Sequence, residues 1–199
     1  MDLMEMLTQQ LGGGAVRQVS DRVGADSDAT SKVISAALPI LVGALAKNSA
    51  NADGASALAS ALDRDHDGSI LDDIGGFLGR TSGGSGQDIL KHVLGGRQQG
   101  AESALGQMSG LDPSKVGQIL KMLAPLVLGA LGRQKRESGL SADDLGAMLG
   151  RQRRQVEKRA PEAGSLLTQL LDRDGDGSAL DDVARMGAGI LGSLFGGKR

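Results

Sequence analysis

The sequence predicts an all-α fold built as a duplicated helical repeat, with two short acidic loops between helices. Leu and Ala are abundant and β-branched residues are few, which favours helix over strand. Apolar residues recur at helical spacing along most of the 199-residue chain. Two parts of the chain also resemble each other, and the acidic loops belong to this resemblance.

Two apolar stripes in the N-terminal region predict two helices. The first apolar stripe consists of Leu3, Met6, Leu7 and Leu11. The glycines at 12–14 are expected to stop this helix. A second stripe covers residues 33–45, and Asp28 and Thr30 are its candidate N-caps. Pro39 lies within the second stripe, where it is expected to kink the helix or to mark its start.

The repeat is clearest in two apolar segments. Residues 38–45 (Leu-Pro-Ile-Leu-Val-Gly-Ala-Leu) align with residues 124–131 (Ala-Pro-Leu-Val-Leu-Gly-Ala-Leu) at an offset of 86 residues, and Asp26 then falls on Asp112. The acidic loops align at an offset of 109 residues, so the second half carries an insertion of 23 residues. The other interpretation is chance similarity among segments rich in Leu, Ala and Gly.

The repeat predicts two halves. Residues 1–80 form the first helical repeat with an acidic loop at 63–73, and residues 81–87 form a Gly/Ser hinge. Residues 88–199 form the second repeat, with a basic insertion at about 133–159 and an acidic loop at 172–182. Residues 1–86 carry a net charge of −5 and residues 87–199 a net charge of +3, and neither value by itself indicates nucleic acid or membrane.

The acidic loops have the residue pattern of a calcium site. Calcium takes six to eight oxygen ligands, and acids at loop positions 1, 3 and 5 converge on it when a glycine at position 6 turns the chain. Position 7 contributes a backbone carbonyl. The candidate ligands are Asp63, Asp65, Asp67, Ser69, Asp72 and Asp73 in the first loop, and Asp172, Asp174, Asp176, Ser178, Asp181 and Asp182 in the second.

Both loops depart from an EF-hand at their end. The bidentate Glu of position 12 is replaced by Ile74 in the first loop and by Val183 in the second. Paired acids at positions 10 and 11 are the remaining candidates, and the pattern does not decide which member of each pair closes the loop. Magnesium is the lesser option because it prefers fewer carboxylates and more water.

The same acids also suit turns and helix starts, which is the metal-free interpretation. The crowding of five carboxylates into eleven residues favours a cation. His66 lies at loop position 4 and is expected to be solvated. A third acid pair, Asp143-Asp144, follows Ser141 in a capping-box pattern, and no metal is expected there.

Residues 151–159 contain five basic side chains and no aromatic one, so a solvated helix face is favoured over a nucleic-acid site. Residues 186–195 suit a core or partner contact better than a membrane-surface helix. The longest apolar run, about 14 residues at 33–46, is shorter than the roughly 20 that a membrane span needs. We therefore expect a cytoplasmic protein. With no cysteine and two histidines, the sequence offers no enzymatic constellation.

The Leu-Pro-x-Leu-x-Gly-Ala-Leu segments and the two acidic loops together resemble the bacterial YidB-like family, a domain of unknown function numbered 937. The resemblance covers most of residues 1–80 and 88–199. It implies an all-helical bacterial protein and no assigned activity.

These observations predict a non-enzymatic protein that binds about two calcium ions, each bracing the helices beside its loop. A metal-independent scaffold that self-associates or binds a protein partner is the first alternative. A nucleic-acid binder that uses residues 151–159 is the second.

Overall fold

The computed structural model describes residues 3–80 and 84–159, and all regular structure in these ranges is helical, which confirms the all-α prediction. The helices are α1 (Leu3–Gln10), α2 (Gly13–Val23), α3 (Ser27–Asn48), α4 (Ala52–Asp65), α5 (Ile74–Arg80), α6 (Gly84–Leu94), α7 (Gln98–Ser109), α8 (Pro113–Ser138) and α9 (Ala142–Arg159). One 3₁₀ turn, Ser69–Leu71, lies between α4 and α5, and another, Gly95–Arg97, lies between α6 and α7.

The long helices α3 and α8 pack against each other at the centre of the fold. The shorter helices α2, α7 and α9 pack on α3, while α6 and α7 pack on α8. The core between them is aliphatic, and its largest fully buried side chains include Leu38, Leu41, Ile119, Leu120 and Leu123. Full burial of each such side chain contributes about 1.5–3 kcal/mol. Many leucines can therefore substitute for aromatic residues, of which the sequence has only Phe77 and Phe195.

Aspartates begin both central helices. The Asp26 carboxylate accepts hydrogen bonds from the backbone N–H groups of Asp28 and Ala29, each at 3.0 Å, so Asp26 is the N-cap of α3. The prediction of Asp28 or Thr30 as the cap was therefore wrong by two residues or more. Asp112 caps α8 in the same way, accepting from the Ser114 N–H at 2.8 Å.

Prolines lie inside both central helices. Pro39 is within α3 and Pro125 is within α8, so neither residue marks a helix start. An interior proline costs about 3 kcal/mol, and the buried apolar residues on either side of it offset that cost. Helices α3 and α8 are long and apolar enough to cross a membrane, with mean hydropathies of 1.6 and 1.3, although 67% and 83% of these windows are buried.

The glycine-rich segments at 12–14 and 84–86 are short turns or helix rather than long breaks. Helix α1 ends at Gln10, yet α2 already begins at Gly13. Helix α6 begins at Gly84, so residues 84–87 of the predicted hinge are helical. A Cβ atom on Gly86 would overlap the backbone carbonyl of Lys121 in α8, which explains the need for glycine there. Contacts also cross between the halves, because α1 packs on α8 and α6 packs on α3.

Candidate functional site

The first acidic loop starts within a helix. Helix α4 continues to Asp65, so Asp63 and Asp65 belong to its last turn. The chain then turns at Gly68, whose φ is 92° and ψ is −4°. This left-handed conformation favours glycine, as the sequence predicted for position 6 of the loop.

Asp67 stabilises the turn. Its Oδ1 accepts a hydrogen bond from the Ser69 backbone N–H at 3.0 Å. Hydrogen bonds from Ser69 lower the pKa of the Asp67 carboxyl below its ordinary value, and the charge of Arg136 lowers it further. The Ser69 carbonyl, the predicted ligand of position 7, accepts from the Asp72 N–H at 3.0 Å. Asp67 and Ser69 therefore make the local turn that the metal-free interpretation also predicts.

Three carboxylates of the loop face the C-terminal end of α8. Lys135 Nζ lies 2.6 Å from Asp63 Oδ1, and Arg136 Nη1 lies 3.6 Å from Asp67 Oδ2. Arg133 pairs with Asp72. These cations oppose the mutual repulsion of the loop acids, and they also suit the negative end of the α8 dipole.

The backbone of the loop packs closely against α8 at Gly129, Gly132 and Arg133. Arg133 Nη2 donates a hydrogen bond to the Gly68 carbonyl at 3.1 Å. A Cβ atom on Gly132 would overlap the His66 carbonyl. A Cβ atom on Gly129 would lie 3.8 Å from the Cβ of Ile70. We call residues 129, 132 and 133 the α8 seat, and its glycines allow the loop backbone to approach the helix closely.

The paired acids at the end of the loop have separate contacts. Asp72 faces Arg133, whereas Asp73 Oδ1 accepts the Gly76 N–H at 2.7 Å and so caps the start of α5. Within residues 3–80 and 84–159, no three acidic or imidazole side chains are grouped so that they could hold a metal ion. Four acids of the first loop, Asp63, Asp67, Asp72 and Asp73, are thus arranged around protein donors and cations.

His66 is partly buried, whereas a solvated side chain was expected. Burial lowers the pKa of His66 below its usual value, and the negative charge of Asp65 partly opposes this. The close contact of its backbone with Gly132 explains the burial, because it brings position 66 against α8.

The cationic partners of the loop were missed by the sequence interpretation. Arg133, Lys135 and Arg136 lie more than 60 residues beyond the acids that they contact. The relevant signal was the charge asymmetry, since the acidic first half carries −5 and the basic second half +3. Such a pattern indicates attraction between the halves but does not identify the pairs.

Two other predicted features are the capping box at Ser141 and Asp144 and the second acidic loop. Ser141 Oγ donates to Asp144 Oδ2 at 2.6 Å and accepts from the Asp144 N–H at 3.2 Å, which confirms the capping box at the start of α9. Hydrogen bonds from the Ser141 hydroxyl and from the Ser141 backbone N–H to the Asp144 carboxylate lower the pKa of Asp144. The second acidic loop, with Asp172, Asp174, Asp176, Ser178, Asp181 and Asp182, lies outside the described residues.

The basic segment forms the end of α9. Arg151, Arg154 and Lys158 are exposed, whereas Gln152 is buried with 8% exposure. Three arginines of this segment, Arg151, Arg153 and Arg154, line a groove of about 470 Å³ against the turn between α3 and α4. The opposite wall includes Ser49 and Ala50.

Comparison with protein families gives one match. Residues 5–134 and 154–199 match the model of a bacterial protein family of unknown function, DUF937. The chain belongs to the DUF937 family. The unmatched interval of this DUF937 chain, residues 135–153, falls inside the predicted insertion at about 133–159. No curated protein and no solved structure matches the chain significantly.

Proposed function

We propose that this protein is a non-enzymatic helical protein with a duplicated repeat, which binds about two calcium ions through its acidic loops. The left-handed turn at Gly68 carries the proposal, because it is the feature that a D-x-D-x-D-G loop needs to fold around an ion. The exposed carboxylates of Asp63, Asp65 and Asp72 supply the oxygen ligands that calcium prefers.

The duplication is supported by how the two central helices begin. Asp26 caps α3 and Asp112 caps α8, at the same offset of 86 residues that relates the apolar segments. The glycines that end the preceding helices keep this offset, since Gly24 has φ 62° and Gly110 has φ 77°. Two matched left-handed turns and two matched caps favour a repeated unit over chance similarity.

At the first loop, calcium would compete with the basic side chains of α8 for the same carboxylate oxygens. The carboxylates of Asp63, Asp67 and Asp72 would need to leave Lys135, Arg136 and Arg133 before they could converge on one ion. Calcium and the α8 cations are then alternative partners of the same oxygens. We therefore expect calcium to loosen the loop from α8, so that the loop responds to the ion rather than being permanently braced by it.

Calorimetric titration of the full chain tests this competition. Wild type should take up about two calcium ions, and Lys135→Gln or Arg136→Gln should raise the affinity of one site by up to about fivefold, the strength of one exposed pair. Arg151→Gln removes a cation that makes no ion pair with the first loop, and this control should leave the first site unchanged. Absence of calcium heat in wild type and in both variants would contradict the proposal.

A metal-independent scaffold is the second candidate, and the ion pairs with α8 favour it. In this case the α8 cations are the permanent partners of the loop. Thermal unfolding distinguishes the two, because a ligand that binds the folded state raises Tm with concentration. Identical Tm values in millimolar calcium and in chelator would leave the scaffold as the better description.

A further inference from the structure

The groove between α9 and the turn that joins α3 to α4 is separate from the first acidic loop. It has a volume of about 470 Å³. The arginines at 151, 153 and 154 form one wall, and residues 49–52 form the other. We call this space the arginine groove. It lies at the N-terminal end of α4, whereas the acidic loop begins at the C-terminal end of the same helix, about 20 Å away.

The groove is open because α9 touches the turn at one point and then leaves room. A Cβ atom on Gly146 would lie 2.9 Å from the Ser49 carbonyl oxygen and 3.6 Å from the Cβ of Ala55. One helical turn later, a Cβ atom on Gly150 would meet only Nη1 of Arg154, at 3.6 Å. The two walls therefore meet at Gly146 and are separated at Gly150, where the missing side chain leaves space for a ligand.

The arginine side chains give this space its positive charge. The guanidinium of Arg154 lies over Gly150, one turn earlier in α9, because long side chains of a helix point towards its N-terminus. Arg151 is three residues before Arg154, so both belong to the same side of α9, and both are exposed. Asp143 is the one acid among the described residues that line the groove. Three arginines thus leave an excess of positive charge.

The opposite wall offers hydrogen-bond donors. Asn51 is the N-cap of α4, and its Oδ1 accepts the Gly54 N–H at 2.8 Å. Since the oxygen is used in the cap, the NH₂ group of Asn51 is the part of the amide that can donate to a ligand. The first backbone N–H groups of α4 have no acceptor within the helix, and this end of the helix dipole favours negative charge. Both walls of the groove therefore suit an anion.

We propose that the arginine groove binds the phosphate group of a small phosphorylated molecule. A phosphate monoester carries about 1.5 to 2 negative charges at neutral pH, which matches the excess positive charge better than a single carboxylate does. The planar guanidinium group can donate two parallel hydrogen bonds to phosphate oxygens. This site is distinct from the acidic loops and requires no calcium.

The lining of the groove favours a small ligand over nucleic acid. No aromatic side chain is among the described lining residues, so the groove has no surface on which a nucleobase could stack. The net charge of the chain is −2, which opposes the approach of a long polyanion. A small anion avoids this repulsion because it contacts only the groove itself.

The two walls also differ in their relation to the DUF937 family. The turn at 49–52 lies within the matched range 5–134, whereas Arg151 and Arg153 lie in the unmatched interval 135–153. Arg154 is the first residue of the second matched range. The groove is thus formed mainly by the addition of α9 to a surface that belongs to the family. We expect relatives without this helix to lack the phosphate site.

An NMR titration of the full chain with sodium pyrophosphate tests the proposal. The buffer is freed of divalent cations with a chelating resin, so that calcium sites play no part. Backbone amide signals of residues 51–53 and 150–154 should shift together and give one affinity. Arg151→Gln combined with Arg154→Gln should weaken this affinity about tenfold, because each exposed ion pair contributes up to about fivefold.

The matched control is Lys91→Gln combined with Lys158→Gln. This variant loses the same charge from two exposed positions outside the groove. Its affinity for pyrophosphate should stay within about twofold of wild type, because salt screens exposed charges that are distant from the site. Equal weakening in the two double variants would show a general charge effect and would overturn the proposal, as would a wild type that binds no pyrophosphate.

A second pair of variants keeps all three arginines. Ala147 lines the groove and is exposed, so a larger side chain is accommodated there without loss of the core. Ala147→Glu places a carboxylate beside the ligand and should weaken binding about fivefold more than Ala147→Gln, which adds nearly the same volume without charge. Equal affinities of these two variants would contradict an anion site at this position.

Two further ligands test the chemical class. Succinate that binds as tightly as pyrophosphate would overturn the assignment to phosphate in favour of a dicarboxylate. A short single-stranded DNA that binds more tightly than pyrophosphate, with an affinity that falls steeply with salt, would assign the groove to nucleic acid instead. These results do not depend on calcium, so failure of the phosphate site would leave the proposed function of the acidic loops untouched.

Discussion

Gly132→Ala is the sharpest test of the contact between the first acidic loop and α8. Alanine has the higher helix propensity, so this substitution within α8 would by itself stabilise the protein by up to about 1 kcal/mol. In the fold, however, the added Cβ overlaps the backbone carbonyl of His66. A backbone carbonyl cannot move alone, so the whole loop has to shift.

The net effect follows from these two opposing terms. Overpacking of a tight contact costs up to about 3 kcal/mol, and the propensity gain reduces this to a net loss of about 2 kcal/mol. For a chain of this length the loss lowers Tm by about 4–8 °C. Urea and thermal unfolding followed by circular dichroism at 222 nm would measure it.

The matched control is Gly150→Ala in the middle of α9. A Cβ atom there would meet only the Arg154 guanidinium, at 3.6 Å, which is an ordinary contact. The same chemical change should therefore raise Tm by about 2–4 °C. If Gly132→Ala also raised Tm, with unchanged helix content, the close seating of the loop on α8 would be refuted.

Three further predictions concern the core and the helix caps. Leu123 is fully buried in α8, so Leu123→Ala should lower the free energy of unfolding, measured by urea denaturation, by about 2–5 kcal/mol. An effect below about 1 kcal/mol would argue against the central packing of α8. Asp112→Ala should lower Tm by about 2–4 °C because it removes the N-cap of α8. Asp112→Asn should retain most of the stability at neutral pH, because asparagine also caps helices. Equal losses of Tm in the two variants would contradict the capping role. Hydrogen bonds lower the pKa of Asp112 and Asp144 in the folded protein, so their stabilising effect is full above the unfolded pKa of about 3.9 and is lost as pH falls through the folded values. Combined Asp112→Asn and Asp144→Asn should therefore flatten the fall in Tm below pH 4, and an unchanged fall would show that other groups cause it.

Local sequence patterns predicted the local structure well. Leu3 and Leu7 of the first apolar stripe are buried in α1, and Leu11 is buried just after its end. Ser141 with Asp144 forms the expected capping box. These features depend on residues within a few positions of one another, where helical spacing and side-chain chemistry are decisive. The conformation of Gly68 was predictable for the same reason.

The surroundings of the acidic loop could not be predicted in this way. Carboxylate repulsion indicated that a cation was needed, but the pattern could not distinguish a metal ion from Lys135 or Arg133 in a distant helix. The glycines at 84–86 looked like a flexible hinge, yet Gly86 is needed for a tight contact with α8. In each case the deciding partner is remote in sequence, and only the packed fold brings it close.

The contacts that cross between the halves have a consequence for how the chain folds during synthesis. Helix α1 and the first acidic loop both contact α8, which leaves the ribosome long after them. Loop closure over such distances slows folding, so the apolar residues of the N-terminal half that pack on α8 stay exposed until α8 has been synthesised. A fragment ending near residue 80 would keep these apolar residues exposed. Addition of the separate C-terminal half should restore their packing on α8 by complementation.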